Sequence, residues 1–122
     1  MHAVCELKSF QRDAADAGMT QGEIDDLIEF LSIHPDSGDE IRGTGGCRKL
    51  RVGGKGKGKS GGFRAITFFS GKQLPVFLIT VFAKNERSDL SQADRNFLAG
   101  MTRELVREYR RKIVKAEGPS HD

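Results

Sequence analysis

Residues 47–83 read CRKLRV GGKGKGKSGG FRAITFF SGKQ LPVFLITVFA. The first block, Cys47–Val52, alternates: Lys49 and Arg51 fall on one side, Leu50 and Val52 on the other. That period of two predicts a half-buried strand. Six glycines in Gly53–Gly62 exclude regular structure there. Phe63–Phe69 is β-branched and aromatic and predicts a second strand. Ser70–Gln73 reads as a hairpin connection to a third. Pro75–Ala83 is almost wholly apolar, as a central strand covered on both faces must be. Short links between chain-adjacent strands favour antiparallel pairing.

Working outward, helices flank this sheet. Residues His2–Phe10 suggest a short strand leading into a helix. Thr20 and Glu23 have the spacing of a capping box, and Ile24, Leu27, Ile28 and Leu31 follow at helical intervals. His34-Pro35 ends that helix, because the residue before proline disfavours helical backbone. Pro35–Gly46 reads as a loop. A last helix follows Ser91, with Leu98, Met101, Leu105 and Tyr109 as its apolar stripe. Tyr109 is the chain's one tyrosine, and on that stripe it reads as core. The expected fold is α+β: a small antiparallel sheet packed against N-terminal helices and a C-terminal helix. One domain is expected over 1–116, with a disordered tail at 117–122.

The 122 residues carry a net charge of only +3, but the charge is segregated. From Ile41 to Asn85 there are 45 residues without Asp or Glu, holding ten of the 20 basic residues. All 17 acidic residues lie elsewhere. Such an arrangement is an electrostatic footprint for a polyanion. The longest apolar run, Leu74–Ala83, is about half the ~20 residues of a membrane helix. No secretory leader is visible at Met1–Phe10, so a cytoplasmic location and no membrane partner are expected. Cys5 and Cys47 have no metal-ligand spacing, and His2, His34 and His121 are scattered. No metal or cofactor is expected.

Gly53-Gly-Lys-Gly-Lys-Gly58-Lys59-Ser60 satisfies a P-loop pattern, yet that pattern needs a helix beginning at its Lys-Ser. Gly61 and Gly62 follow, each costing about 1 kcal/mol in a helix, and strand-forming residues come next. Nucleotide binding is therefore rejected. Lys55, Lys57 and Lys59 alternate with glycines that let a backbone approach a phosphate chain closely. Flanked by Lys49, Arg51 and Arg64, they suit contact with a sugar–phosphate backbone.

Three segments together resemble the RelE/ParE superfamily, most closely its HigB-like branch of type II toxins: Gly45–Arg51, the GKGKSGGFR of Gly56–Arg64, and the FAKNERSDLS of Phe82–Ser91. The resemblance covers nearly the whole chain, including Ala17–Thr20 at the entry to the early helix. It implies a ribosome-dependent endoribonuclease that cuts mRNA in the decoding site beside 16S rRNA. The RNA's own 2′-OH is then the nucleophile, no metal is used, and a cognate antitoxin restrains the toxin. The toxin is expected as a monomer or in a toxin–antitoxin hetero-oligomer. Arg64 matches the family's strand arginine and is the first candidate for neutralising phosphorane charge. Lys57, Lys59 and Lys84 are candidates for catalysis, and Lys49, Arg51 and Lys55 for holding substrate. The sequence departs from better-known members in having Asn85 and Ser91 where they carry arginine and tyrosine, and Phe63 where the branch often has tyrosine. Two other readings share the features: a ParE-like gyrase inhibitor and a non-catalytic ribosome- or RNA-binding module.

Overall fold

The computed structural model describes residues 1–53, 62–84 and 90–117, with side chains as far as Lys112. Its elements are β1 (Val4–Glu6), α1 (Lys8–Ala17), α2 (Gln21–Ile33), β2 (Asp39–Glu40), β3 (Cys47–Val52), β4 (Phe63–Phe68), β5 (Val76–Ala83) and α3 (Gln92–Glu117). The strands form one sheet in the order β1-β5-β4-β3-β2. The α+β architecture expected from sequence holds, with two additions. The sheet is mixed, because β1 pairs with β5 in parallel, Val4 opposite Val76 and Glu6 opposite Leu78. Within the stretch read as a loop, β2 pairs with β3, Asp39 facing Lys49 and Glu40 facing Arg48. Of the tail expected from 117 on, Glu117 belongs to α3, and residues 118–122 lie outside the described part.

Local chemistry sets the helix limits. Gly18, at φ 82°, closes α1 with its N–H on Ala14 and Ala15, a left-handed cap that glycine adopts without a Cβ penalty. At Thr20 the capping box is complete: the hydroxyl accepts from Glu23 N–H at 3.1 Å, and Glu23 Oε1 accepts from Thr20 N–H at 2.8 Å. Thr20→Ala should cost about 1 kcal/mol, readable as a lower Tm with unchanged enzymatic or binding behaviour. Ser91 and Asp94 make the equivalent reciprocal pair before α3, at 3.1 and 3.0 Å.

Apolar side chains leave both faces of β4 and β5, so the sheet is the middle layer. On one face Phe63, Ala65, Val76, Leu78 and Val81 meet Phe10 and Ala14 of α1 and Leu27 and Leu31 of α2. On the other, Cys47, Ile66, Phe68, Phe77 and Ile79 meet Leu90 and Leu98, with Met101, Leu105 and Tyr109 of α3 at the margin. Tyr109 crosses Phe77 edge-on, 5.5 Å between ring centres, so it is a packing residue as its helical spacing suggests. Where β1 stops, α1 takes over the edge of β5. Leu7 N–H donates to Leu78 O at 3.1 Å, and the Ser9 hydroxyl donates to Ile79 O at 2.5 Å. Ile79 is itself irregular. The β4–β5 register passes from Ile66↔Thr80 to Thr67↔Leu78, leaving Ile79 as a bulge residue that increases local twist.

Candidate functional site on the sheet face

Side chains alternate between the faces of a strand, so Lys49 and Arg51 share one face of β3. Arg51 stands directly opposite Arg64 on β4, and Arg64 is opposite Phe82 on β5. One step further, Lys84 N–H donates to Gly62 O at 3.0 Å, continuing the ladder beyond Phe63↔Ala83. Lys84 therefore sits two residues past Phe82, exposed, at the same end of the sheet. Register thus puts Lys49, Arg51 and Arg64 on neighbouring positions of β3 and β4, with Lys84 just past the end of β5. Lys55, Lys57 and Lys59 lie outside the described residues. Phe63–Phe68, where the helix of a P-loop would run, is the strand β4, so the P-loop reading has no support.

Like charges directly opposite on neighbouring strands are destabilising, yet Arg51 and Arg64 are placed so. The Nε of Arg64 is buried and makes no hydrogen bond, and among the described residues no ion pair involves this side chain. A buried donor without a partner costs free energy, and two cationic residues paired in register repel. An anion between them would relieve both. Arginine's planar fork suits two oxygens of one phosphate.

The neighbouring cations are placed differently. Lys49 faces Asp39 across β2 and lines a cleft of about 280 Å³ with Glu40, Leu90 and Arg95. Arg51, exposed at the sheet edge, lines another with Glu23 and Asp26 of α2. The segregation of charge along the chain is thus not a segregation in space: β2 and α2 return carboxylates to the flanks of the basic block. Arg64 lies between these flanks, on the inner strand. Arg95 was not singled out from sequence. The signal was there: a basic residue in the first turn of a helix opposes the helix dipole and so points to another duty.

On the same face Cys47 is fully buried, and burial pushes its thiol up to about 11, against a smaller lowering by the Thr44 hydroxyl. Between about pH 9 and 11 the folded chain therefore holds a proton that the unfolded chain has lost. Stability is full below pH 9 and falls as pH climbs through that window. Iodoacetamide at pH 8 should leave Cys47 unlabelled in the native protein and label it in urea. Mass spectrometry of tryptic peptides distinguishes the two states.

The model of the family described as "RelE toxin of RelE / RelB toxin-antitoxin system" matches residues 4–118. The chain belongs to the RelE toxin family. Its fold is similar to that of a free E. coli RelE toxin in which two arginines are changed to alanine. That similarity has a TM-score of 0.53 and 14% identity, over 84% of this chain and 96% of that one. At such identity the likeness shows the RelE fold alone. The five-stranded sheet with helices on both faces is thus a RelE fold, and the chain is a toxin of a toxin–antitoxin system. Among the described residues no helix is long and apolar enough to cross a membrane.

Proposed function

We propose that this RelE-family toxin is a cytoplasmic, ribosome-dependent mRNA endoribonuclease of the HigB-like branch, held inactive by a cognate antitoxin. The observation that carries the reading is the buried, unpartnered Nε of Arg64 facing Arg51 across the sheet. In-line cleavage joins the 2′-oxygen to phosphorus and breaks the bond from phosphorus to the 5′-oxygen. The 2′-OH proton leaves to a base, the departing 5′-oxygen takes up a proton, and charge builds on the phosphorane oxygens between these events. Arg64 is the residue we assign to neutralising that charge, a role in which a fixed cation does more for the transition state than for the ground state. Lys84 stands at the same end of the sheet and, with Lys57 and Lys59, is the candidate proton carrier. Lys49, Arg51 and Lys55 hold the RNA backbone, positioning it without reading bases. GKGKSGGFR and FAKNERSDLS support the branch assignment.

The test is to add the purified toxin to translating ribosomes and map mRNA 5′ ends by primer extension. New ends in register with codons are expected, and none on naked RNA. Arrested translation with intact mRNA would instead support a binding module. Cleaved supercoiled DNA with normal translation would support gyrase inhibition.

A further inference from the structure

A third cleft lies near the Arg64 site. It encloses about 250 Å³ between α1, the start of α3, and the β4–β5 pair. Ile66 and Ile79 lie in its apolar floor, while Ser9, Arg12, Asp13, Thr80 and Asp94 supply polar groups. Phe97 lines it too, 65% exposed, an aromatic ring on α3 that contributes little to the core. Ile66 is two residues along β4 from Arg64 and on the same face, a separation of roughly 7 Å of strand. That is about one nucleotide of extended chain. The volume is below the roughly 300–1,000 Å³ of pockets that enclose whole drug-sized ligands, and suits one planar ring system.

The polar groups are specific. Asp13 Oδ2 accepts from the Thr80 hydroxyl at 2.5 Å, and Oδ1 from Arg12 Nε at 3.2 Å. Those bonds fix the carboxylate, whose side chain is 25% exposed, and leave half of its roughly four acceptor sites for a ligand. Arg12, 70% exposed, keeps its terminal amino groups as donors. Acceptor and donor are thus side by side at the mouth of an apolar slot.

We propose that this cleft seats a nucleobase of the RNA next to the phosphate held at Arg64, stacked on Phe97 and read by Asp13 and Arg12. Guanine is the complementary base: its N1–H and N2–H₂ donate to a carboxylate while O6 accepts from a guanidinium. Uracil presents a single donor between two acceptors and leaves Asp13 unsatisfied or repelled. The inference rests on the endoribonuclease reading for its biological meaning, but not for its test.

Two measurements separate the cleft from the chemistry. The first titrates ¹⁵N-labelled toxin with 2′-O-methyl trinucleotides that cannot be cut and differ in one base. The guanine oligomer should shift the amides of Asp13, Thr80 and Phe97 and bind about tenfold more weakly to Phe97→Ala, the loss of one base–aromatic stack. Phe97 is exposed, so that variant keeps the fold. The uracil oligomer should bind the wild type more weakly than the guanine oligomer, and Asp13→Asn should narrow that difference. Shifts confined to other surfaces, or equal binding of both oligomers to the wild type, would overturn the proposal. The second measurement compares cleavage positions on ribosomes. Both variants should lose preference for guanine beside the cut, and unchanged preference in both would also overturn it. A wild type that cuts nothing sinks the nuclease reading, while the titration still decides the cleft.

Discussion

Arg64→Ala is expected to lower single-turnover mRNA cleavage on the ribosome by about 10²–10³-fold, the usual effect of removing one preorganised donor to a developing oxyanion. Among the described residues its Nε makes no hydrogen bond and its side chain no ion pair, so none of these is broken by its removal. Relief of the repulsion with Arg51 should leave stability equal or slightly higher. Lost activity with an unchanged or raised Tm is therefore the signature of a catalytic cation rather than a scaffold residue. Arg64→Lys keeps the charge but not the fork, and should recover only part of the rate. If Arg64→Ala cuts at the wild-type rate, phosphate neutralisation lies elsewhere, and the unpartnered Nε is a packing accident.

Phe10→Ala is the counterpart, with a large effect on stability. Phe10 is completely buried on α1 among Ala14, Leu31, Phe63 and Leu78. Truncating such a ring removes its transfer free energy and leaves a cavity, about 3–5 kcal/mol in all. For a domain whose total stability is of order 5–15 kcal/mol, that is a large share. Urea unfolding followed by circular dichroism should show a marked fall in midpoint with little change in slope. An effect below about 1 kcal/mol would mean that α1 is not docked as described. Because Phe10 packs on the face of the sheet opposite Arg64, any residual folded protein should retain its cleavage rate per molecule.

Much of this molecule was readable because its signals are local. The Thr20–Glu23 box, the Lys49/Arg51 alternation and the apolar Val76–Ala83 strand are each stated within a few residues. Asp39–Glu40 was not readable as a strand. Two polar residues have no period, and they pair only because β3 offers an edge. The parallel partner of β1 was equally hidden, since nothing in Val4–Glu6 names a strand so distant in sequence. In the site, the residue types were legible but the register was not. That Arg51 meets Arg64, rather than Arg48 or Lys49, follows from pairing across a ten-residue glycine-rich connection whose length sets no turn type. The carboxylates of β2 and α2 beside Lys49 and Arg51 also escaped, because composition along a chain does not report distance. Arg12, Asp13 and Phe97 were never candidates: exposed charged and aromatic residues on helices are ordinary until a cleft is seen beside them.

The clasp between the first and last strands has a consequence for synthesis. The His2 ring reaches Leu74 O, 72 residues away, and Ala3 O takes the Val76 N–H. Such contacts cannot form on a nascent chain until its final strand has cleared the exit tunnel. They are also among the slowest to form, since long loops must close first. Arg64 lies on β4 and is held in register by β5 on one side. On the ribosome-directed reading proposed above, a ribosome making this toxin is spared its attack until translation of the message is nearly finished, which gives the antitoxin time to meet the chain as it folds.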